Sequence, residues 1–327
     1  MAAQRGPGRL TWREATELAL YGPDGFFRRN HPADHFRTAV HASPIIAEAM
    51  LGLARDAGLD TVVDVGAGGG EMLADLHHLD PGLHLLGVEL ASRPSALPGS
   101  IGWTHEVPGD LTALVVGHEW LDDVPLDVVE RTELERRIVL VDPRTGDEST
   151  GPRPPVEDLG WLDTWWPLQT GERAEVGRPR DEAWAEVVSA VRRGVAVAVD
   201  YAHQRGARPP AGSLTGYRDG RQVPPVPDGS CDVTSHVALD ACAAAGEKAG
   251  AAWTVLTNQR TALELLGVRR PRPPRDLAHD DPPAYVRALS AVGELAELTD
   301  PDGLGAFGWL VQGVGLRVPQ RLTGTDE

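Results

Sequence analysis

The sequence has little cysteine, almost no lysine, a deficit of positive charge and no long apolar run. Of its 327 residues only Cys231 and Cys242 are cysteine, with no Cys-x-x-Cys pair and no histidine pair at metal-ligand spacing. That excludes a disulfide framework and supports no metal site, as in a chain kept in a reducing compartment. No apolar stretch reaches the length of a bilayer span, so membrane-spanning helices are excluded. Residues Met1 to Arg9 pass straight into an amphipathic segment without the apolar stretch of a signal peptide, and the expected location is the cytoplasm. With 31 basic against 48 acidic residues the formal net charge is −17, which argues against nucleic acid as a partner, because phosphate recognition rests on positive surface. Lys248 is the sole lysine, so the basic residues are arginines, suited to pairing with carboxylates.

What is present has the proportions of an ordinary globular chain, with 41% hydrophobic and 24% charged residues. Thr11 and Glu14 have the form of a capping box ahead of a short helix with Trp12, Ala15, Leu18 and Ala19 on one face, stopping at Gly22. A second helix is expected from Ser43-Pro44, with Ile46, Ala49, Met50 and Leu53 inward and a stop near Gly58. From there strands and helices alternate: a strand Thr61 to Val65, a helix Glu71 to His78, strands Leu85 to Glu89 and Leu114 to Val116. A helix Asp181 to Arg193, with Gly194 at its end, leads to a buried strand Val195 to Val199. This βαβ order calls for an α/β fold on a parallel sheet. Two stretches interrupt it: Leu126 to Asp142 alternates like a β-hairpin turning near Thr132 to Glu135, and Arg205 to Asp228, dense in Pro and Gly, reads as a long loop or insertion. Trp253 to Leu256 and Trp309 to Gln312 read as two last strands. Residues 1–58 are expected to form an N-terminal helical segment, and 59–327 a core with insertions at about 126–180 and 205–245.

The strand Val62-Val63-Asp64-Val65 runs into Gly66-Ala67-Gly68-Gly69-Gly70 and a helix opening at Glu71, the context of a ligand-binding loop whose glycines let the backbone approach a small molecule. A dinucleotide fingerprint would need glycine where Glu71 stands, beside the place of a pyrophosphate, so the spacing disfavours NAD. Carboxylates suit instead a cationic sulfonium with an amino-acid tail, which points to S-adenosyl-L-methionine. Cofactor-binding candidates are Asp64, Gly66, Ala67, Gly68 and Gly70. Glu89, about 20 residues further on, is placed for the ribose hydroxyls, with Leu90 beside it. Asp110 is a candidate for the adenine amino group and His118 for the cofactor side of the fourth strand. Glu119-Trp120-Leu121-Asp122-Asp123-Val124-Pro125 leaves that strand at its carboxyl end, where ligands sit in such sheets. The histidines His31, His35, His77 and His78, and the aromatic group Trp161, Trp165 and Trp166, read as surface or core.

With these residues in place the sequence resembles the MidA family of class I methyltransferases, related to a mitochondrial complex I assembly factor. The resemblance runs over Tyr21-Gly22-Pro23-Asp24-Gly25-Phe26-Phe27, Phe36-Arg37-Thr38-Ala39, the glycine loop, Gly87-Val88-Glu89, Glu119 through Pro125 and Asp200-Tyr201. It continues over Gly216-Tyr217-Arg218, Asp232-Val233-Thr234-Ser235-His236 and Thr257-Asn258-Gln259. Asp64, Ala67 and His118 stand where the family usually has Glu, Pro and Asn. The resemblance implies a Rossmann-like, mostly parallel seven-stranded sheet with helices on both faces and substrate-side insertions. It also implies S-adenosyl-L-methionine as methyl donor and a protein arginine as acceptor. On that reading Glu119 and Asp122 hold the acceptor while His236 and Tyr217 close its pocket. The alternatives are an assembly or scaffold protein that binds the cofactor without turnover, and a small-molecule methyltransferase.

Overall fold

The computed structural model of the chain describes residues 8–23, 25–29 and 43–323. Asp24, His31, His35 and the stretch Phe36 to Ala39 lie outside the described residues. The chain folds as two compact units, each assembled from separate stretches: residues 1–37, 119–189 and 200–250 in the first, and 38–118, 190–199 and 251–327 in the second.

The second unit is built on a seven-stranded sheet. Its strands are β1 (Thr61–Val65), β2 (His84–Val88), β3 (Gly102–Thr104), β4 (Leu111–His118), β5 (Val191–Asp200), β6 (Trp253–Asn258) and β7 (Gly308–Val314), in the order β6-β7-β5-β4-β1-β2-β3. β3, β2, β1, β4 and β5 pair in parallel, with Val63 facing Leu86 on one side and Val115 on the other. β6 pairs antiparallel with β7, so the sheet is mixed, with parallel strands and an antiparallel pair at one edge. Val62 to Val65 are all buried, as expected of a strand flanked by two neighbours. The strand order reverses between β1 and β4, and at such a switch point the loops at the carboxyl ends diverge and leave a crevice. The helix Ile45–Asp56 buries Ile46, Ala49, Met50 and Leu53 and ends as its sequence indicates. Gly58 takes φ 63°, and the N–H groups of Gly58 and Leu59 close back on the carbonyls of Arg55 and Ala54.

The expected helix Asp181 to Arg193 is corrected at both ends: it spans Arg178–Ala190, and Val191 already belongs to β5. Gly194 is not a helix stop. It lies inside β5, just past a register shift against β4, and a Cβ there would stand 2.0 Å from the Ala113 carbonyl oxygen. The glycine permits a close approach of two backbones. Gly194→Ala is expected to cost about 2 kcal/mol of stability, read by urea denaturation, because the strand pair must separate to admit the methyl group.

The first unit carries the interruptions. The capping box forms as expected, with Thr11 Oγ1 accepting from Glu14 N and Glu14 Oε2 from Thr11 N. The hairpin also forms, Val128–Arg131 against Arg136–Val141, closed by the N–H of Thr132 donating to the Glu135 carbonyl. It belongs to a five-stranded sheet with Leu10–Thr11, Glu148–Thr150 and Arg173–Glu175. The stretch Arg205 to Asp228 is not loop throughout: Thr215–Arg218 and Arg221–Val223 join Asp232–Thr234 in a three-stranded sheet. Its prolines flank these strands, and a central ladder would reject them. Trp161 and Trp166 are core residues, packed with Leu162, Val176 and Ala241. Among the described residues no helix is long and apolar enough to cross a membrane.

Candidate functional site

In the second unit the glycine loop hangs from the carboxyl end of β1. The N–H groups of Gly66 and Ala67 both donate to the Val88 carbonyl, which ties the loop to the end of β2. Gly66, Gly68 and Gly70 have φ of 73°, 52° and 78°, a region where a side chain would strain the backbone. A Cβ on Gly68 would meet nothing within 4 Å, so this loop presents open backbone to its surroundings. Gly70 is the N-cap of the helix Glu71–Leu79.

Three carboxylates converge on that loop. Glu89 accepts the N–H of Gly68 through Oε2 at 3.0 Å and the N–H of Ala91 through Oε1 at 3.1 Å. Each oxygen keeps a second lone pair, which is what holding a vicinal diol requires. Asp64 is buried, and its pKa is raised well above the ordinary carboxylate value, first by burial and then by the charges of Glu71 and Glu89. Negative charge repelling negative charge around an open glycine backbone is a site in want of a cation. These residues fit a sulfonium cofactor with an ammonium group on its tail. Leu90 follows Glu89 and leaves 62% of its surface exposed.

Two other expected residues sit differently. His118 ends β4 and is buried. Asp110 is displaced from the role expected of it: it precedes β4, at φ 59°, paired with Arg192 at 2.9 Å on the surface. That is the amino end of the strand, about 23 Å of extended chain from its carboxyl end, so Asp110 cannot reach an adenine at the glycine loop. The residues that do occupy the carboxyl side are His105 and Glu106, next after β3, with His105 Nδ1 2.8 Å from the Glu89 carbonyl oxygen. Their position in sequence, directly after a short third strand, is the signal that a reading centred on Asp110 passes over.

The first unit gathers the other group. Glu119 takes φ 49°, a left-handed conformation seldom adopted by a residue of its kind, so its backbone is held there by its neighbours. The nearest restraint is Asp200, whose Oδ2 accepts the N–H groups of Leu121 at 2.9 Å and Asp122 at 3.3 Å. Arg180 supplies the other. Its guanidinium is buried and donates to the carbonyls of Ser235 at 2.9 Å, His236 at 3.0 Å and Asp122, and to Ser235 Oγ at 3.0 Å. One side chain thus fastens the 119–125 loop to the 235–236 segment. The sequence signal for Arg180 exists: with Trp184, Val187 and Val188 it forms the buried face of its helix, where a cation without partners would be too costly.

Asp122 is buried, its Oδ2 accepting from Thr234 Oγ1 at 2.8 Å. Burial raises its pKa, while Thr234 and Arg180 hold it down. Asp123 and Asp200 are raised well above the usual range by burial and by the acids around them. Asp232 is pushed up to about 8 by burial and Asp122. His236 stacks on Tyr201, centroids 5.8 Å apart at 17°, and burial lowers its pKa, keeping the imidazole neutral. Tyr217 is raised by burial and by the charges of Asp122 and Asp232. Glu119, Asp122, Tyr217 and His236 therefore all fall in the first unit, around one acidic centre.

These shifts carry a pH dependence. Asp232, at about 8, and Asp181, pushed to about 7 by burial beside the Trp161 indole N–H, bind protons in the folded state that the unfolded chain releases near pH 4. Between about pH 4 and pH 8 the folded state holds more protons, so this stability is full below that window and is lost as pH rises through it. The urea midpoint is expected to be lower at pH 8.5 than at pH 5.5, with the slope flattened in Asp181→Asn and Asp232→Asn. A midpoint that rises with pH over this range would sink the assignment.

The sequence profile of a protein family described as "putative S-adenosyl-L-methionine-dependent methyltransferase" matches residues 86–257. Among solved structures, the chain resembles a methyltransferase candidate from Burkholderia thailandensis crystallised with S-adenosylhomocysteine. Identity is 22%, coverage 98% of this chain and 97% of that one, and the TM-score 0.80. The native crystal structure of an uncharacterised protein from the same organism gives the same figures: 22%, 98%, 97% and 0.80. At this identity the likeness is one of fold. No curated protein matches the sequence.

Proposed function

Since the chain belongs to this family of S-adenosyl-L-methionine-dependent methyltransferases, whose profile covers more than half of it, we propose that its acceptor is an arginine side chain of a protein partner, as in MidA-type enzymes. The carrying observation is electrostatic. Asp122, Asp123 and Asp200 of the first unit lie around the buried Arg180 guanidinium, with Glu119 acting on Asp200 and Asp232 on Asp123; burial first raises the pKa of these aspartates, and repulsion among the acids adds to it at Asp123, Asp200 and Asp232. A cation brought to such a centre lowers its energy, and arginine stays charged in proteins.

Bound at the glycine loop, S-adenosyl-L-methionine supplies an electrophilic methyl group on a cationic sulfur. Asp64, Glu71 and Glu89 would offset that charge, the open backbone of Gly66 to Gly70 would admit the cofactor, and Glu89, with Leu90 beside it, would take its ribose hydroxyls. In-line displacement asks of the protein chiefly alignment. Glu119, whose left-handed backbone leads into N–H groups bonded to Asp200, would accept paired N–H bonds from the guanidinium and so fix its orientation. One guanidinium proton must leave per transfer, and Glu119 is the carboxylate we assign to take it. Neutral His236 and the Tyr217 phenol close the pocket without adding positive charge.

The test is transfer of labelled methyl groups to a cell lysate, followed by acid hydrolysis. Labelled methylarginine in the protein fraction is the expected product. Glu119→Gln is expected to lower its formation at least about 100-fold with cofactor affinity unchanged. Label confined to the low-mass fraction would establish a small-molecule acceptor, and cofactor binding with no labelled product would favour the scaffold reading.

A further inference from the structure

The first unit also holds a cavity of about 370 Å³, within the size range of small-ligand pockets and lined, among the described residues, only by residues of that unit. Neither Glu119 nor the glycine loop lines it. Its walls are of two kinds. Trp12, Val128 and Leu214 give it an apolar floor continuous with the core around Val139 and Val233. The polar side consists of Asp147, Glu148, Arg173 and Glu175.

These four groups specify an occupant. Glu175 is buried and spends its oxygens on the N–H groups of Ser213 and Leu214 and the Ser213 hydroxyl, so it contributes charge rather than an open acceptor. Glu148 receives the Trp12 indole N–H at 2.8 Å and Arg173 Nη2 at 2.7 Å, both on Oε1, which leaves Oε2 for another donor. Asp147 accepts from Thr145 through Oδ2. Three carboxylates line the cavity against the guanidinium of Arg173, and Arg9 donates to the Asp147 carbonyl at its edge, which still leaves an excess of negative charge that favours a cation. Arg173 adds the complementary demand: its Nε–H is buried and has no acceptor among the described residues. A buried donor in that state calls for an oxygen from whatever fills the space. A carboxylate would be repelled by the three acids, whereas a neutral amide carbonyl would not.

We propose that this cavity is a recognition subsite for a basic residue of a peptide chain. The aliphatic stem lies on Trp12, Val128 and Leu214, the cationic head faces Glu148 and Asp147, and the residue's own amide carbonyl accepts from Arg173 Nε. In a protein acceptor this would be a second basic residue, distinct from the one methylated, and that consequence rests on the reading of the acceptor as a protein. The binding site itself does not, and its test needs neither cofactor nor turnover.

The probes are N-acetyl-arginine-N-methylamide, agmatine, which lacks the carbonyl, and N-acetyl-norleucine-N-methylamide, which lacks the charge. Binding to the full chain is measured by calorimetry and saturation-transfer NMR. The blocked arginine is expected to bind at least tenfold more tightly than either other probe. It should lose at least tenfold in Ala211→Trp, which fills the cavity, and in Glu148→Gln, with Asp147→Asn at the exposed rim as a variant that leaves the packing alone. Equal binding of the three probes, or binding that survives all three substitutions, overturns the proposal. So does loss of binding in Glu119→Gln, which would place the probe at the acceptor centre. Failure of methyl transfer to any protein, with probe binding intact, would instead overturn only the reading of the acceptor.

Discussion

Arg180→Met is expected to lower the stability of the first unit by about 3–5 kcal/mol, the range seen when one member of a buried charge network is removed and its partners stay behind. The methionine fills much of the space, so the loss is electrostatic and hydrogen-bonded. Asp122 and Asp200 lose the cation that holds their pKa values down, and the carbonyls of Asp122, Ser235 and His236 lose their donor. Arg180→Lys should rescue only part, because one ammonium cannot span the oxygens that the planar guanidinium reaches with its separate nitrogens. Urea denaturation followed by Trp fluorescence reads the change. A loss under about 1 kcal/mol would mean that the acids take up protons and need no cation, and Arg180 would then not be the clasp of the 119–125 loop. Cofactor affinity should hold in both variants, because the residues assigned to it belong to the second unit.

Glu89→Ala is expected to weaken S-adenosyl-L-methionine binding about 100-fold. Its carboxylate makes two bonds to backbone N–H groups, at Gly68 and Ala91, and each bond to a charged group is worth about 1.5–3 kcal/mol. Without them the glycine loop loses its anchor, and the ribose loses its acceptors. About 3 kcal/mol in all corresponds to the stated factor, at 1.4 kcal/mol per tenfold. Glu89→Gln should fall between, since it retains one acceptor oxygen. Calorimetric titration decides: a change under fivefold would remove Glu89 from the cofactor site and leave Asp64 and Glu71 as its only acids.

Much of the cofactor side is legible in the chain because it is local. Val62 to Gly70 is one strand and one turn, and glycines followed by a helix start can be read within ten residues. The hairpin at 128–141 is legible for the same reason. The helix ending at Ala190 is misjudged by three residues because Val191 satisfies either period: it continues the helical face of Val187 and Val188 and also opens a buried strand. What settles it is the register against β4, a contact with residues about 80 positions away. Asp110 is misplaced for a related reason. Its neighbours suggest a loop aspartate near a strand, but only the direction of β4 tells which end of the sheet that loop occupies.

By itself, then, the sequence determined the donor side: a glycine turn between a buried strand and a helix, with acids where a dinucleotide would want none. It also argued against spanning helices and disulfides, since both are matters of local composition. Tertiary structure alone decided that Arg180, Asp122, Asp200 and Asp232 form one buried centre. These residues come from four separate elements of the chain, and their pKa values and hydrogen bonds exist only where folding has removed water and set them side by side.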